Sequence, residues 1–289
     1  MIDLFNTVRQ HPEYFKQLKC KGLLFTQYDC PQEKLTQDLF SEHNYIAYVV
    51  SGKRVFYLPG EMHTMTEGKC VFAKKGAWIA EKELGQGWCV LVFFIPDDFL
   101  KQFVQENRSS LPLIANKQSG RQMVDLEVNN STKGFFQSMI PYFDQLPPVP
   151  EGLLELKFNE LLFNLLINPN NQAFLSWIYT LADSAKQPIE SVMEANYMYN
   201  LSLTDYAKIS NRSLASFKRE FQNIYSTTPG RWLIQKRLEY AKMLLSTSSK
   251  SIAEITFESG FENATHFSRL FKLKFGNSPS HSRNQLHTV

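Results

Sequence analysis

The chain has few cysteines and no long hydrophobic stretch, and each absence excludes a class of protein. Its 289 residues include four cysteines, Cys20, Cys30, Cys70 and Cys89, and no two of them form a CxxC pair. Buried, reduced thiols are therefore expected rather than a disulfide framework or a zinc site. No apolar segment is long enough to cross a bilayer, and residues 1–21 lack the apolar core of a signal peptide. We expect a cytoplasmic chain with no membrane partner.

The sequence also lacks the common catalytic and cofactor-binding motifs. It contains no nucleophile elbow, no phosphate-binding loop and no dinucleotide fingerprint. In the strand-rich region only His43 and His63 occur, with Glu61 and Glu67 nearby and no His-x-His pair. Metal sites need several ligands that converge at bonding distance, so surface or turn histidines are the favoured interpretation. We expect no metal, no cofactor and no enzymatic activity.

What the sequence does contain is an internal repeat at a spacing of 50 residues within 201–283. The matched pairs are Phe217 and Phe267, Arg219 and Arg269, Phe221 and Phe271, Tyr225 and Phe275, Thr228 and Ser278, and Pro229 and Pro279. A repeat is considered before any single motif because it defines the architecture. Each copy has the pattern of a helix, a turn and a second helix, so we predict two helix-turn-helix units.

The second copy carries clear signals for the ends of its helices. Ser251 and Glu254 have the spacing of a capping box, and Gly260 suits the positive φ of a sharp turn. Asn263 can cap the next helix, which is expected to run to about residue 275. Helical spacing leaves a polar set on or near its outer face: Thr265, His266, Arg269 and Lys272.

The first copy follows the same plan, with Ser213 as the cap of its outer helix. Its residues on or beside the exposed side are Ala215, Ser216, Lys218 and Arg219. Residues 229–245 carry an apolar stripe and predict a linking helix about 25 Å long. Two rigidly joined units could place helices in successive major-groove segments of a DNA duplex, about 34 Å apart.

The C-terminal part is also the basic part of the chain. Residues 186–289 contain 14 Lys and Arg against 8 Asp and Glu, a balance of +6. The remaining residues contain 17 against 20, a balance of −3. This asymmetry favours a phosphate-contacting domain at 186–289 and a regulatory and dimerisation domain at 1–185. The apolar set expected to form the core of 186–289 is Phe217, Phe221, Trp232, Leu238, Phe257, Phe267 and Phe271.

The second copy resembles the signature of the AraC/XylS family of transcription regulators, through the runs 251–255, 260–272 and 275–279 and through Arg283. The resemblance covers roughly the last 100 residues. It implies that exposed side chains of two recognition helices contact bases, namely Ala215, Lys218, Arg219, Ala264, Thr265 and Arg269. Ser213, Asn263 and the helix N-termini would hold phosphates, and Ser216, His266 and Lys272 complete the expected DNA-binding surface. An intradomain salt bridge is the alternative role for Arg219 and Arg269.

The N-terminal half is predicted to be rich in strands. Segments 45–50, 54–58, 69–73 and 88–95 favour strands, and glycine turns separate them. This half resembles the cupin-like barrel of many AraC/XylS regulators. Helices are predicted at 97–106, 131–145, 152–168 and 173–185. The expected fold class is thus α+β, with a cupin-like β-barrel and helices followed by an all-α domain.

The helix predicted at 152–168 is apolar around most of its circumference, which indicates burial on more than one side. It can be a core helix that packs on the barrel, or it can form a dimer interface. The two roles are compatible if one set of its side chains faces a second chain. We assign Leu154, Phe158, Leu161 and Leu165 to that set.

Residues 213–221, 228–229 and 232–233 are similar to the ExsA-like branch of the family, activators of type III secretion. In that branch the N-terminal domain binds a regulatory protein rather than a small molecule. The resemblance therefore implies an activator whose partners are double-stranded DNA, RNA polymerase, a second copy of the chain and a small-molecule or protein effector. The alternatives are a regulator whose N-terminal domain acts mainly in protein interaction, and a cupin-type enzyme with an appended DNA-binding module.

Overall fold

The computed structural model describes residues 1–29, 36–59, 61–82, 87–113, 121–183 and 186–286, without the side chains of Asp29 and of 284–286. Cys30 and the predicted turn glycines Gly60 and Gly85 lie outside the described residues. The chain divides into two compact units, Met1–Gln187 and Pro188–Val289. The division falls two residues after the predicted boundary at 185/186.

The N-terminal unit consists of one mixed sheet and a group of helices. Its strands are β1 (Ile2–Asp3), β2 (Lys16–Cys20), β3 (Leu23–Asp29), β4 (Thr36–Ser41), β5 (Asn44–Leu58), β6 (Glu61–Thr66), β7 (Cys70–Ala73), β8 (Gly76–Lys82), β9 (Trp88–Ile95) and β10 (Met123–Leu126). They follow the order β1-β4-β8-β5-β9-β3-β2, with β6 and β7 on β5 and β10 on β7. The β1–β4 pair is parallel, whereas β5 pairs with all its neighbours in antiparallel fashion.

The helices of this unit are α1 (Leu4–Gln10), α2 (Asp97–Asn107), α3 (Asn130–Met139), α4 (Glu151–Leu166) and α5 (Gln172–Asp183). Short 3-10 turns follow α3 at Ile140–Asp144 and precede α5 at Pro169–Asn171. The helices cover one face of the sheet, because Ile46 and Tyr48 of β5 pack in one cluster with α2 to α5. Tyr45, Ala47 and Val49 face a second cluster on the opposite side.

The strand β5 corrects the prediction of two separate strands at 45–50 and 54–58. It is one strand of 15 residues, whose first part pairs with β7 and β9 and whose second part pairs with β6 and β8. Its register shifts between Val49 and Ser51. Gly52 follows at φ 92°, and a Cβ there would lie 2.0 Å from the carbonyl oxygen of Gly87. The glycine therefore permits a bend and a close approach inside a strand, where a hairpin turn was expected.

The helix α4 corrects the assignment of its apolar side chains to a dimer interface. Leu154, Phe158, Leu161 and Leu165 are each at most 1% exposed within their own chain. Phe158 lies 5.3 Å from the ring of Phe25 on β3, and α4 also contacts α3 and α5. Because the sheet and neighbouring helices cover α4 from several directions, its apolar surface is used inside one chain. The large apolar side chains that α4 exposes are Leu153, at 39%, and Leu156, at 69%.

The C-terminal unit is helical. Its elements are α6 (Ile189–Asn196), α7 (Leu203–Ile209), α8 (Leu214–Tyr225), α9 (Pro229–Thr247), α10 (Ile252–Glu258), α11 (Ala264–Phe275) and α12 (Pro279–Leu286). The two predicted helix-turn-helix units are α7–α8 and α10–α11, joined by α9. Together with the strand-rich N-terminal unit they confirm the α+β class. Of the expected core set Phe257 is wrong, since its side chain is 63% exposed. It lies two residues after buried Ile255, about 200° around α10.

Of the two histidines in the strand-rich region, His43 lies in the short connection between β4 and β5, as expected of a turn residue, whereas His63 lies neither at the surface nor in a turn. His63 lies within β6 and is 9% exposed, with Nε2 3.2 Å from Glu61 Oε2. His43 packs against the ring of Phe5, and burial lowers its pKa. Among the described residues, no group of three or more His, Cys, Asp and Glu side chains could hold a metal ion. No helix in that part of the chain is long and apolar enough to span a membrane.

Candidate nucleic-acid interface

Both helix-turn-helix units begin with the same local structure. Ser202 and Asp205 form a capping box at the start of α7, and Ser251 and Glu254 form one at the start of α10. In each box the serine hydroxyl accepts from a backbone N–H, while the carboxylate accepts from the serine backbone N–H. These reciprocal bonds satisfy donors that a helix start leaves unpaired. The predicted box at Ser251 is confirmed.

The turns of the two units match at an offset of 49 residues. Asn211 has φ 56° and Gly260 has φ 85°, so each turn passes through a left-handed residue. The next backbone N–H, of Arg212 or Phe261, donates to a carbonyl five residues back, at 2.9 and 3.0 Å. The second turn then contains one additional residue before the recognition helix. Consequently the helix caps, Ser213 and Asn263, match at the offset of 50.

The caps and the buried aromatic rings orient the two recognition helices, α8 and α11. The Ser213 hydroxyl accepts from the backbone N–H of Ser216 at 3.2 Å, and the Asn263 side chain accepts from that of His266 at 2.9 Å. The anchors are equivalent in the two helices, and all four are fully buried: Phe217 and Phe221 in α8, Phe267 and Phe271 in α11. Since these rings define the inner face of each helix, the opposite face is defined as well.

That opposite face carries most of the predicted DNA-binding residues. In α8 and its cap the exposed ones are Ser213, Ala215, Lys218 and Arg219. In α11 and its cap they are Asn263, Ala264, Thr265, His266, Arg269 and Lys272. We call these two sets the α8 face and the α11 face.

Ser216 is the predicted residue that does not belong to the α8 face. It is half-buried, and its hydroxyl donates to Glu220 Oε1 at 2.8 Å. The other Glu220 oxygen lies 2.9 Å from Nε of Arg212, whose side chain is 8% exposed. Arg212 Nη1 also donates to the carbonyl of Ser210. Ser216 therefore belongs to a network that ties α8 to the preceding turn, and sequence reasoning missed this network.

The cations of the two faces have no ion-pair partner among the described residues. Within the part of the chain that the structure describes, Arg219, Arg269, Lys218 and Lys272 form no ion pair, so the salt-bridge alternative for the two arginines finds no support there. Lys274 differs, since its Nζ lies 2.9 Å from Glu239 Oε1 and also donates to the carbonyl of Gln235. Each face thus presents positive charge that a polyanion can neutralise.

The structure adds three residues to these faces that were not predicted. Gln222 and Asn223 are exposed one turn beyond Arg219 in α8. At the offset of 50 they correspond to Lys272 and Leu273 in α11, and Leu273 is 82% exposed. The repeat itself could have identified them, because a position exposed in one copy is expected to be exposed in the other.

Comparison with known proteins agrees with this architecture in both units. Residues 44–177 match the model of the ExsA N-terminal regulatory domain, and residues 206–285 match a helix-turn-helix domain model. The chain belongs to the AraC/XylS family of transcription regulators. It is a DNA-binding transcription regulator, and its helix-turn-helix units form the DNA-binding part.

Relatives of this regulator match it over most of their length. The thermoregulatory protein LcrF of Yersinia pestis is 24% identical over 236 residues, 81% of this chain and 87% of LcrF. The virulence regulon transcriptional activator VirF of Yersinia enterocolitica is 25% identical over 224 residues, 77% of this chain and 82% of VirF. Among solved structures, the DNA-binding domain of AdpA in complex with a target DNA aligns at a TM-score of 0.33 and 25% identity, covering 34% of this chain and 92% of that domain.

Proposed function

We propose that this regulator activates transcription by binding two successive major-groove segments of one DNA site, one with the α8 face and one with the α11 face. The observation that carries the proposal is the matched pair Arg219 and Arg269, both exposed and both free of acidic partners among the described residues. A connecting helix of 19 residues, roughly 28 Å long, is comparable to the repeat of the groove.

The two faces divide the chemistry of recognition. Arg219, Arg269 and Lys218 have donors that suit the O6 and N7 acceptors of guanine. The methyl groups of Ala215, Ala264 and Thr265 suit the 5-methyl group of thymine. The residues proposed to contact the DNA phosphates, and so to position the helices on the duplex, are Ser213, Asn263, His266 and Lys272.

Activation requires contact with the transcription machinery, and we propose RNA polymerase as that partner. Support comes from the similarity to VirF, a transcriptional activator, and from the similarity to the ExsA N-terminal regulatory domain. A homodimer is proposed as well. Since the four predicted contact residues are buried, the contact would use the exposed side of α4, where Leu153 and Leu156 lie.

Control through the N-terminal unit is proposed to depend on Arg54 of β5. By strand alternation Arg54 shares a face with Phe56 and Leu58, and its guanidinium lies 5.1 Å from the ring centre of Trp88. Arg54 is 5% exposed, and its Nε has no hydrogen-bond partner among the described residues. A buried guanidinium N–H without an acceptor is costly, so this site favours a group that supplies an anionic oxygen. A small organic anion suits it better than a protein surface, because a buried guanidinium is poorly accessible to another protein.

Two experiments test these proposals separately. For DNA, the full chain is titrated against duplexes that it has selected from a random pool, and a selected sequence should bind at least about 1000-fold more tightly than unrelated DNA. Equal affinity for both would contradict sequence-specific reading. For the effector, native mass spectrometry of the purified wild type and of Arg54→Met should show an organic anion on the wild type alone. A regulator that carries no anion, yet responds to a protein partner, would support the protein-effector alternative.

A further inference from the structure

The two helix-turn-helix units are joined by one half-buried side chain as well as by the helix α9. Arg237 lies within α9, and its guanidinium donates three hydrogen bonds to three backbone carbonyls. Nε donates to Tyr197 at 2.7 Å, Nη2 to Tyr199 at 2.8 Å and Nη1 to Gly260 at 2.9 Å. Tyr197 and Tyr199 follow α6, whereas Gly260 is the turn residue of the second unit. A planar guanidinium presents five N–H donors in a fixed geometry, so the three acceptors are held in a defined arrangement.

The segment after α6 is in turn attached to the first unit. The hydroxyl of Tyr206, in α7, donates to the carbonyl of Asn196 at 2.8 Å. Tyr206 is fully buried, and its ring stacks with that of Phe217, an anchor of α8. A continuous chain of contacts therefore runs from α8 through Tyr206 and the segment 196–199 to Arg237.

The turn of the second unit packs directly on the same segment. A Cβ at Gly260 would lie 2.7 Å from the carbonyl oxygen of Met198 and 2.9 Å from Arg237 Nε. Asn200 also donates a hydrogen bond to Glu262, which is the additional residue of the second turn. These contacts leave no room for a larger residue at the turn. They hold the start of the second helix-turn-helix unit directly against the segment 196–200, which is attached to the first unit.

From this arrangement we infer that Arg237 is a positioning residue that sets the spacing and relative orientation of the two recognition helices. The inference rests on the proposed two-segment reading of DNA. Arg237 itself is half-buried, and desolvation lowers its pKa against the opposing influence of Tyr206. It acts on DNA through Gly260 and the segment 197–199 and contacts no base. Two linked reading units gain affinity only when their separation matches that of the two half-sites.

The test compares spacing tolerance, which a loss of stability alone would not change. The full chain selects a duplex from a random pool, and the selected site is rebuilt with one or two base pairs inserted between its half-sites and with each half-site alone. The variants are Arg237→Ala and Arg237→Lys, which keeps the charge but cannot hold three carbonyls in one plane. Lys242→Ala is the control, since it removes an exposed charge from the same helix. Folding is checked by circular dichroism.

The wild type and Lys242→Ala should lose roughly ten-fold or more in affinity when the spacing changes. Both Arg237 variants should bind the intact site more weakly, bind single half-sites like the wild type, and lose most of the spacing dependence. If they keep the wild-type spacing dependence, Arg237 does not set the separation and the inference is overturned. If Arg237→Ala does not fold, the same comparison with Arg237→Lys decides. A wild type that tolerates every spacing would overturn the two-segment proposal itself, and this result is separate from any difference between variants.

Discussion

Arg219 and Arg269 occupy the same position in two recognition helices, each two residues after one buried phenylalanine and two residues before another. The flanking rings, Phe217 and Phe221 or Phe267 and Phe271, are fully buried, so both guanidinium groups lie on the opposite side of the helix. Neither group has an ion-pair partner among the described residues. The intradomain salt bridge considered for these arginines is therefore not formed there, and both guanidinium groups are available to contact DNA.

The first prediction concerns these two arginines. Arg269→Ala should weaken binding to a selected site by about 1–3 kcal/mol, the usual cost of a lost base contact, and should relax sequence preference in one half-site. Arg219→Ala should act on the other half-site. Competition titrations with base-substituted duplexes measure both effects. A lowered melting temperature with an unchanged ratio of specific to non-specific affinity would show that the arginines are structural.

The second prediction separates two lysines of α11. Lys272→Ala should weaken binding to all sequences nearly alike and reduce the slope of log K against log salt by about one. Lys274→Ala is the matched control, because Lys274 is already paired with Glu239 and should alter the slope less. Fluorescence titrations between low and moderate salt measure the slopes. Equal effects of the two substitutions would contradict the assignment of Lys272 to the phosphate backbone.

A third prediction concerns α4 and its six buried apolar side chains. Leu161→Ala should lower the free energy of unfolding of the N-terminal unit by about 2–5 kcal/mol, because it leaves a cavity in the core. Leu156→Ala, on the exposed side of the same helix, should change it by less than about 0.5 kcal/mol. Urea unfolding followed by circular dichroism gives both values. A Leu161→Glu, Leu165→Glu double variant that remains folded would contradict the buried position.

The fourth prediction is a pH dependence centred on Lys74. Burial lowers its pKa from the ordinary 10.5 to about 8, while Glu61 opposes the shift. Between these two pH values the unfolded chain binds a proton that the folded chain does not, so stability should rise with pH across this window. The rise attributable to Lys74 is on the order of 2 kcal/mol. Urea midpoints of wild type and Lys74→Met at pH 7.5 and 9.5 measure it, and parallel changes in the two proteins would refute it.

The sequence predicted the C-terminal unit more fully than the N-terminal one, for a physical reason. Caps, glycine turns and the repeat are local signals, and Ser251, Gly260 and Asn263 have the roles expected of them. Burial depends on what covers a side chain, and periodicity does not contain that information. Phe257 is apolar and helical but nothing covers it, whereas Leu161 is covered by its own chain.

Local sequence signals do not show which distant residues approach a position, and this explains both the error in β5 and the missed network at Arg212. Gly52 looks like a turn residue, but its role follows from the approach of Gly87, which is distant in sequence. The hydrogen bond between Ser216 and Glu220 has the i,i+4 spacing of a helix. It ties α8 to the preceding turn only because Glu220 also pairs with Arg212. Exposed positions of the recognition helices were easier to predict, because each position has an equivalent 50 residues away in the other copy of the repeat.

We propose that α8 and α11 contact two successive segments of the major groove on one face of the duplex. Methylation interference on a selected duplex, bound by the full chain, tests this arrangement, because methylation of guanine N7 blocks contact in the major groove. Two clusters of interference about one helical turn apart are expected, with Arg219→Ala removing sensitivity in one cluster and Arg269→Ala removing it in the other. A single cluster, or interference unaffected by either substitution, would show that the two helices do not contact successive groove segments.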